Sequence, residues 1–172
     1  MIYNIVKYPH LSTKPATHDE TSSSKILEVA ENMVKTLKTF PNGVGLASPQ
    51  VGINNMRIII VCTESMVIQS TNKKDYTIMI NPVINDVSGS QKSMEGCLSL
   101  GKYTGSVTRP NEVEVTYTNN EGNKVVASFV GFEASIISHE IDHLEGKIII
   151  DNMNKIKYNK ELAKLKKKVK LL

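Results

Sequence analysis

Residues 132–144, Phe132-Glu133-Ala134-Ser135-Ile136-Ile137-Ser138-His139-Glu140-Ile141-Asp142-His143-Leu144, set the fold and the chemistry of this chain. Apolar positions Phe132, Ile136, Ile137, Ile141 and Leu144 recur at the helical period, and Gly146 supplies a C-terminal stop, so a core-facing helix is expected here. On such a helix residues four apart share a face, and His139 and His143 present two imidazoles to a single metal ion. Glu140 then lies beside the metal, where a carboxylate accepts a proton from a metal-bound water and passes it to a leaving amine. The plain alternative for this HExxH pattern is two histidines on a helix flank, one of them hydrogen-bonded in the core.

Outward from this helix the chain reads mostly as strands. Arg57–Cys62 and Thr77–Asn81 are rich in β-branched residues, with Glu64–Asp75 a polar loop between them and Pro82 restricting the chain beyond Asn81. Val113, Val115 and Tyr117 alternate with Glu112, Glu114 and Thr116, and residues 124–130 resume after Asn119-Asn120-Glu121-Gly122-Asn123, predicting an antiparallel hairpin. An earlier helix is expected from cap candidates Thr21 to Ser24 through Ile26, Val29, Ala30, Met33, Val34, Leu37 and Phe40, ending at Pro41-Asn42-Gly43. Residues 43–52 read as a loop and Lys147–Asp151 as a short strand. In the tail Leu162, Leu165, Val169 and Leu172 form one stripe among lysines, an amphipathic helix. The expected architecture is α+β: mostly antiparallel strands around a central helix bearing the HExxH pattern, with a C-terminal amphipathic helix. Residues 1–154 are expected to form one domain, with 155–172 its basic tail.

Composition narrows the classes. The chain has 172 residues, 40% apolar and 22% charged, ordinary values for a single globular domain. Apolar runs such as Ile58-Ile59-Ile60-Val61-Cys62 are far too short to cross a bilayer, and Met1–Pro9 lacks the pattern of a signal peptide. Cys62 and Cys97 are read as free thiols in a reducing compartment. Of the net charge of +4, residues 155–172 carry eight Lys against one Glu, leaving the body slightly acidic, unlike a protein that binds DNA over its whole surface.

Two imidazoles are too few for a catalytic metal site, which usually has three protein ligands and an open position. The candidates for the third are Cys97, Cys62, His10 and His18. Cys97 follows Gly96 in Glu95-Gly96-Cys97-Leu98-Ser99, where the backbone can approach closely, whereas Cys62 ends an apolar strand and His10 and His18 flank a polar segment. A further stretch, Gly43-Val44-Gly45-Leu46-Ala47-Ser48-Pro49-Gln50, lacks dinucleotide-site spacing and by itself reads as a tight turn.

Taken in order, GVGLASPQ, EGCLS and HEIDHLEG resemble the three signature motifs of the peptide deformylases, a likeness that spans residues 43 to 146 and continues weakly through Arg109-Pro110 and the following hairpin. The resemblance implies a hydrolase that removes the N-formyl group from the initiator methionine of nascent chains. It implies Cys97, His139 and His143 as metal ligands with water as the fourth, Glu140 as general base, and Gln50 with the backbone N–H of Leu98 as the oxyanion donors. Preorganised donors of this kind are usually a large term in amide hydrolysis. It further implies that the backbone of Gly45 hydrogen-bonds the peptide and that Val44, Phe132 and Ile136 line a methionine pocket, core packing being the alternative for these three. Arg109 is implied to pair with Glu95 and hold the cysteine loop, a surface cation being the alternative, while Asp142 reads as a solvated or helix-surface carboxylate. One thiolate and two imidazoles suit zinc or iron alike; the resemblance implies one divalent ion, ferrous natively, with zinc, nickel or cobalt in the purified protein. The expected setting is cytoplasmic, with a formyl-Met nascent peptide as partner, ribosome contact through the Lys-rich tail, and neither membrane nor DNA. Ser48, Ser138, Leu100-Gly101 and Thr104 depart from the family's common residues, and Thr104 stands where some members carry a peptide-contacting Arg. The rival readings are a deformylase-like binding protein that has lost turnover and a small zinc endopeptidase.

Overall fold

The computed structural model describes residues 1–11, 14–17, 23–62, 67–68, 73–152 and 155–169. Along the chain these form α1 (Ser23–Leu37), β1 (Gly45–Ala47), β2 (Ile58–Val61), β3 (Val67–Ile68), β4 (Lys73–Lys74), β5 (Thr77–Ser88), β6 (Gln91–Gly96), β7 (Thr104–Arg109), β8 (Glu112–Thr118), β9 (Lys124–Val130), α2 (Phe132–Leu144) and α3 (Lys155–Val169). Strands β1, β2, β5, β8 and β9 make one sheet in that order, while β3–β4 and β6–β7 are separate pairs. Every pairing among the described strands is antiparallel. The fold is therefore mixed α+β, with three α-helices among the described residues.

All four residues of β2 are buried, which requires cover on both faces of the sheet. Ile59 and Val61 pack with Met79, Val113 and Val115 against Ala134, Ile137, Ile141 and Leu144 of α2. Ile58 and Ile60 turn the other way, onto Val29, Ala30, Met33 and Leu37 of α1. Each such aliphatic side chain contributes about 1.5–3 kcal/mol on burial. The sheet's β1–β2 end is thus clamped between two helices, and α2 is held at a fixed height above it.

The expected helix over 132–144 has the predicted bounds, and the expected hairpin forms with Glu112 opposite Val130, its first strand running one residue past Tyr117 to pair Thr118 with Lys124. Other expectations need correction. Helix α1 ends at Leu37, not at Pro41, because beyond Lys38 the amides bond three residues back (Thr39 N to Thr36 O, Phe40 N to Leu37 O) and tighten the chain into a turn. Residues 43–52 are not a plain loop: β1 pairs with β2, and Ser48–Val51 form a 3₁₀ helix. Pro82 does not end β5, since it sits in a register shift between Ile80 and Val83, where Asn81 adopts φ 51° and the ring's missing N–H costs no ladder bond. Residues 149–152 form a 3₁₀ helix in place of the expected strand, with Asp151 Oδ2 accepting the Ile148 N–H. Within the expected loop 64–75, β3 and β4 pair; the rest of it up to residue 72, like Thr21, Ser22 and His18, lies outside the described residues.

Helix α3 lays Leu165, fully buried, with Tyr158 and Leu162 against Cys97, Leu100, Tyr103, Val107, Ile149 and Ile150. Tyr103 Oη donates to Glu161 Oε2 at 2.9 Å. The Leu stripe therefore packs on the body as far as it is described; the side chain of Val169, and Leu172, fall outside. No described helix is long and apolar enough to cross a membrane.

Candidate metal centre

Because α2 is packed on the sheet by its apolar residues, the face carrying His139 and His143 is turned toward the β6–β7 hairpin, and both histidines are buried. Cys97 follows β6 and leads into a 3₁₀ turn, Leu98–Leu100, that brings the two elements together. Its Sγ lies 3.2 Å from His143 Nε2. One ligand atom from each of Cys97, His139 and His143 lies within 4.8 Å of the others, and the two rings stand edge to face at 88°. Of the rival third ligands, His10 is exposed and Cys62 is buried at the end of β2; neither joins this cluster.

The hydrogen bonds choose the tautomers. The Lys147 carbonyl can only accept, so His143 Nδ1, 3.0 Å away, carries the proton and leaves a lone pair on Nε2. His139 Nδ1 is likewise 2.8 Å from Glu95 Oε2, leaving its Nε2 for a cation. Burial opposes ionisation of Cys97, but the neighbouring His143 and His139 outweigh it and hold the thiol well below its ordinary range. A thiolate and two imidazoles with outward lone pairs suit a divalent ion such as zinc or ferrous iron. The donor set fits the implied metal.

Behind His139 the carboxylate of Glu95 takes a fork from Arg109, Nε to Oε1 at 2.7 Å and a terminal nitrogen to Oε2 at 2.9 Å. Arg109 also reaches Asp142 Oδ2, which accepts in addition from Asn152 Nδ2 at 2.7 Å. Asp142 is thus not the solvated group its sequence setting suggests. The sequence carries no sign of this bond, because it joins α2 to the end of β7. Arg109 is only 5% exposed, so Arg109→Met leaves Glu95 buried without its guanidinium partner. The expected cost is about 3–5 kcal/mol of stability and about a 10–100-fold loss of metal affinity, read by urea unfolding and by chelator competition.

Glu95 also sets an acid limit. Burial pushes its carboxyl up, but the hydrogen bonds from Arg109 and His139 prevail and bring it down to about 2 from an ordinary 4.5. A carboxyl depressed by folding stabilises the protein above the unfolded value and loses that contribution as pH falls through the folded one. On the order of 3 kcal/mol, by the conversion of about 1.4 kcal/mol per pH unit, is therefore expected to disappear between pH 4.5 and 2. Urea midpoints for Glu95→Gln should lack this acid slope.

The trio opens on a cavity of about 420 Å³ lined by Val44, Gly45, Gln50, Met94, Leu98, Phe132, Ile136, His139 and Glu140 among others. Ile136 is buried, Val44 half-buried, and Phe132 54% exposed, so Phe132 forms the rim and not the apolar core position its helical spacing suggests. Burial, against the pull of the neighbouring histidines, raises the Glu140 carboxyl to about 7. Its Oε2 is buried with no hydrogen-bond partner. An orphaned carboxylate oxygen beside three ligand atoms is an acceptor waiting for a proton.

Gln50 is 1% exposed and its amide orientation is forced. Ala47 N–H donates to Oε1 at 2.8 Å, so Nε2 must point the other way, to Cys97 Sγ and Ser99 Oγ, both at 3.4 Å. Leu98 opens the 3₁₀ turn, and its N–H has no intrahelical acceptor. Ser99, buried under Gln50, lies within EGCLS, yet nothing in the motif gave it a role. The departures are accommodated: Ser48 Oγ donates to Met56 O at 2.6 Å, Ser138 Oγ to Ala134 O at 2.7 Å, and Gly101 adopts φ 61°. Thr104 is exposed at the start of β7.

Residues 2–159 match the polypeptide deformylase family. The chain is 33% identical over 171 residues to peptide deformylase 2 of Vibrio parahaemolyticus, covering 98% of this chain and 96% of that one. It is 35% identical to the peptide deformylase of Thermodesulfovibrio yellowstonii over 98% of both chains. Among solved structures, peptide deformylase from Ehrlichia chaffeensis superposes with a TM-score of 0.83 at 28% identity, covering 99% of this chain and 98% of that chain. A class I type b peptide deformylase from Acinetobacter baumannii, solved with Met-Ala-Ser bound, gives 0.76 at 29% identity over 89% of this chain and 99% of that one.

Proposed function

Since the chain belongs to the peptide deformylase family, we propose that it removes the formyl group from the initiator methionine of nascent chains, using Cys97, His139 and His143 to hold one divalent ion. The observation that carries this reading is the convergence of those three ligand atoms within 4.8 Å beside the unpartnered oxygen of Glu140. A divalent ion held there, ferrous iron natively and zinc, nickel or cobalt as substitutes, supplies Lewis acidity that polarises a carbonyl and makes water more acidic.

The protein's own groups divide the remaining work. Glu140 Oε2 takes a proton from the attacking water, whose oxygen bonds the formyl carbon. The same carboxyl returns that proton to the amine nitrogen as the carbon–nitrogen bond breaks, so the products are formate and a free amino terminus. Without an ion in the site, burial raises this carboxyl above its ordinary range, the direction that suits a group that must both take and return a proton. Gln50 Nε2, held by the Ala47 contact, and Leu98 N–H receive the charge that develops on the formyl oxygen. Gly45 offers its backbone to the peptide, and Val44, Ile136 and the rim ring of Phe132 receive the methionine side chain. Glu95 and Arg109 orient His139 from behind.

In this reading residues 1–154 form one metallohydrolase domain and 155–172 its helical tail, the setting is cytoplasmic, and the exposed Lys157, Lys160, Lys164, Lys166 and Lys167 contact ribosomal RNA. The rivals, an inactive binding protein and an endopeptidase, are not favoured by the family match. Anaerobic purification, metal analysis and an assay on formyl-Met-Ala-Ser should give about one ion per chain and release of formate. Cleavage of internal peptide bonds alone overturns the reading.

A further inference from the structure

Gln50 and Leu98 belong to two 3₁₀ elements that do not share a strand, and their relative position is what an oxyanion site depends on. The N-terminal segment crosses between them. Val6 N–H donates to Gln50 O at 2.8 Å, Lys7 Nζ to Leu98 O at 2.8 Å, and Tyr8 N–H to Ser99 O at 2.9 Å. Three successive residues thus place one donor on the first element and two on the second. The segment is itself anchored at both ends: Tyr3 and Ile5 pack in the α1–β2 cluster, and Tyr8 packs in the cluster containing Cys97, Leu100 and α3. Tyr3 N–H also bonds Thr36 Oγ1 at 2.8 Å. Apart from the side-chain contacts of Gln50 with Cys97 and Ser99, both at 3.4 Å, this segment is the hydrogen-bonded tie between the two elements among the described residues.

We infer that residues 5–8 act as a strap that sets the distance between Gln50 and Leu98, with Lys7 a positioning residue for the Leu98 turn. This rests on the reading of Gln50 and Leu98 as oxyanion donors. Lys7 is exposed and lines the cavity, so its removal leaves the core intact. A charge-assisted bond to a carbonyl is stronger than a neutral one, and losing it frees the Leu98 turn.

The test compares Lys7→Met, which keeps the aliphatic stem, with Lys7→Arg, which restores a donor. In the metal-loaded full chain, amide hydrogen exchange across 97–101 should quicken at least about threefold in Lys7→Met and return in Lys7→Arg. On formyl-Met-Ala-Ser, kcat should fall about fivefold with KM unchanged, and recover in Lys7→Arg. Unchanged exchange overturns the strap. A rise in KM alone also overturns it, since Lys7 would then be a substrate contact. Exchange that responds as expected in a chain whose wild type releases no formate supports the strap while sinking the oxyanion reading, so the two failures are distinguishable.

Discussion

Glu140→Gln is expected to lower formate release by about 10²–10⁴-fold, the range typical of a lost general base, while the protein keeps its metal. The substitution is nearly isosteric, and the cluster of Cys97, His139 and His143 does not use the Glu140 side chain. What it removes is an oxygen able to hold a proton, at a site where Oε2 has no protein partner to replace it. A second effect runs in the opposite direction. Burial raises the Glu140 carboxyl from 4.5 to about 7 in the protein without metal, so ionising it costs the folded state. For an acid raised by folding, stability is greatest below the unfolded value and is lost as pH climbs through the folded one. At pH 8 metal-free Glu140→Gln should therefore be more stable than wild type, by on the order of 3 kcal/mol. An inactive, metal-retaining and more stable variant is the signature of a group kept for chemistry at the expense of folding. Unchanged formate release removes Glu140 from the mechanism.

Gly45→Ala should cost about 10²-fold in kcat with a loss of stability of only about 1 kcal/mol. A Cβ built on Gly45 would stand 2.2 Å from Glu140 Oε1, 2.7 Å from Cδ and 2.9 Å from Cγ, all too close. The backbone has no freedom to yield, because β1 is paired with β2 residue for residue, Gly45 opposite Val61, and α2 is packed on the same strands. The flexible end of Glu140 must move instead, so the fold survives and the base is displaced. A double-mutant cycle checks the cause: in the Glu140→Gln background, Gly45→Ala should add little to the loss. Additive losses in kcat would mean that the glycine acts through some other group. The peptide-backbone contact proposed for Gly45 predicts a separate rise in KM, which the same kinetics resolve.

The second glycine of GVGLASPQ is legible in sequence only as part of a tight turn and, by resemblance, as a peptide-backbone contact; what approaches it is the side chain of Glu140, from the far half of the chain. The same divide runs through the site. His139, Glu140 and His143 lie within about one helical turn, so a period of about 3.6 residues suffices to place them together. Cys97 and Gln50 enter through motif resemblance, since spacing alone leaves His10, His18 and Cys62 in contention. The Arg109–Asp142 bond and the donors of residues 6–8 have no motif at all. Departures from the expected fold have a similar origin: local propensity points one way at Pro82 and at 147–151, while pairing geometry and side-chain capping rule there.

Alone, then, the order of residues determined the elements whose stability is local: the 132–144 helix, the hairpin of 112–118 with 124–130, and the turn between its strands. Periodicity writes such elements into neighbouring positions. Only the tertiary structure decided which lone pairs face the cation site, which carboxylate is left without a partner, and how the Gln50 and Leu98 elements are tied. Those outcomes depend on contacts between segments distant in the chain, made when α2 is pressed onto the sheet and the N-terminal segment crosses the gap beside it.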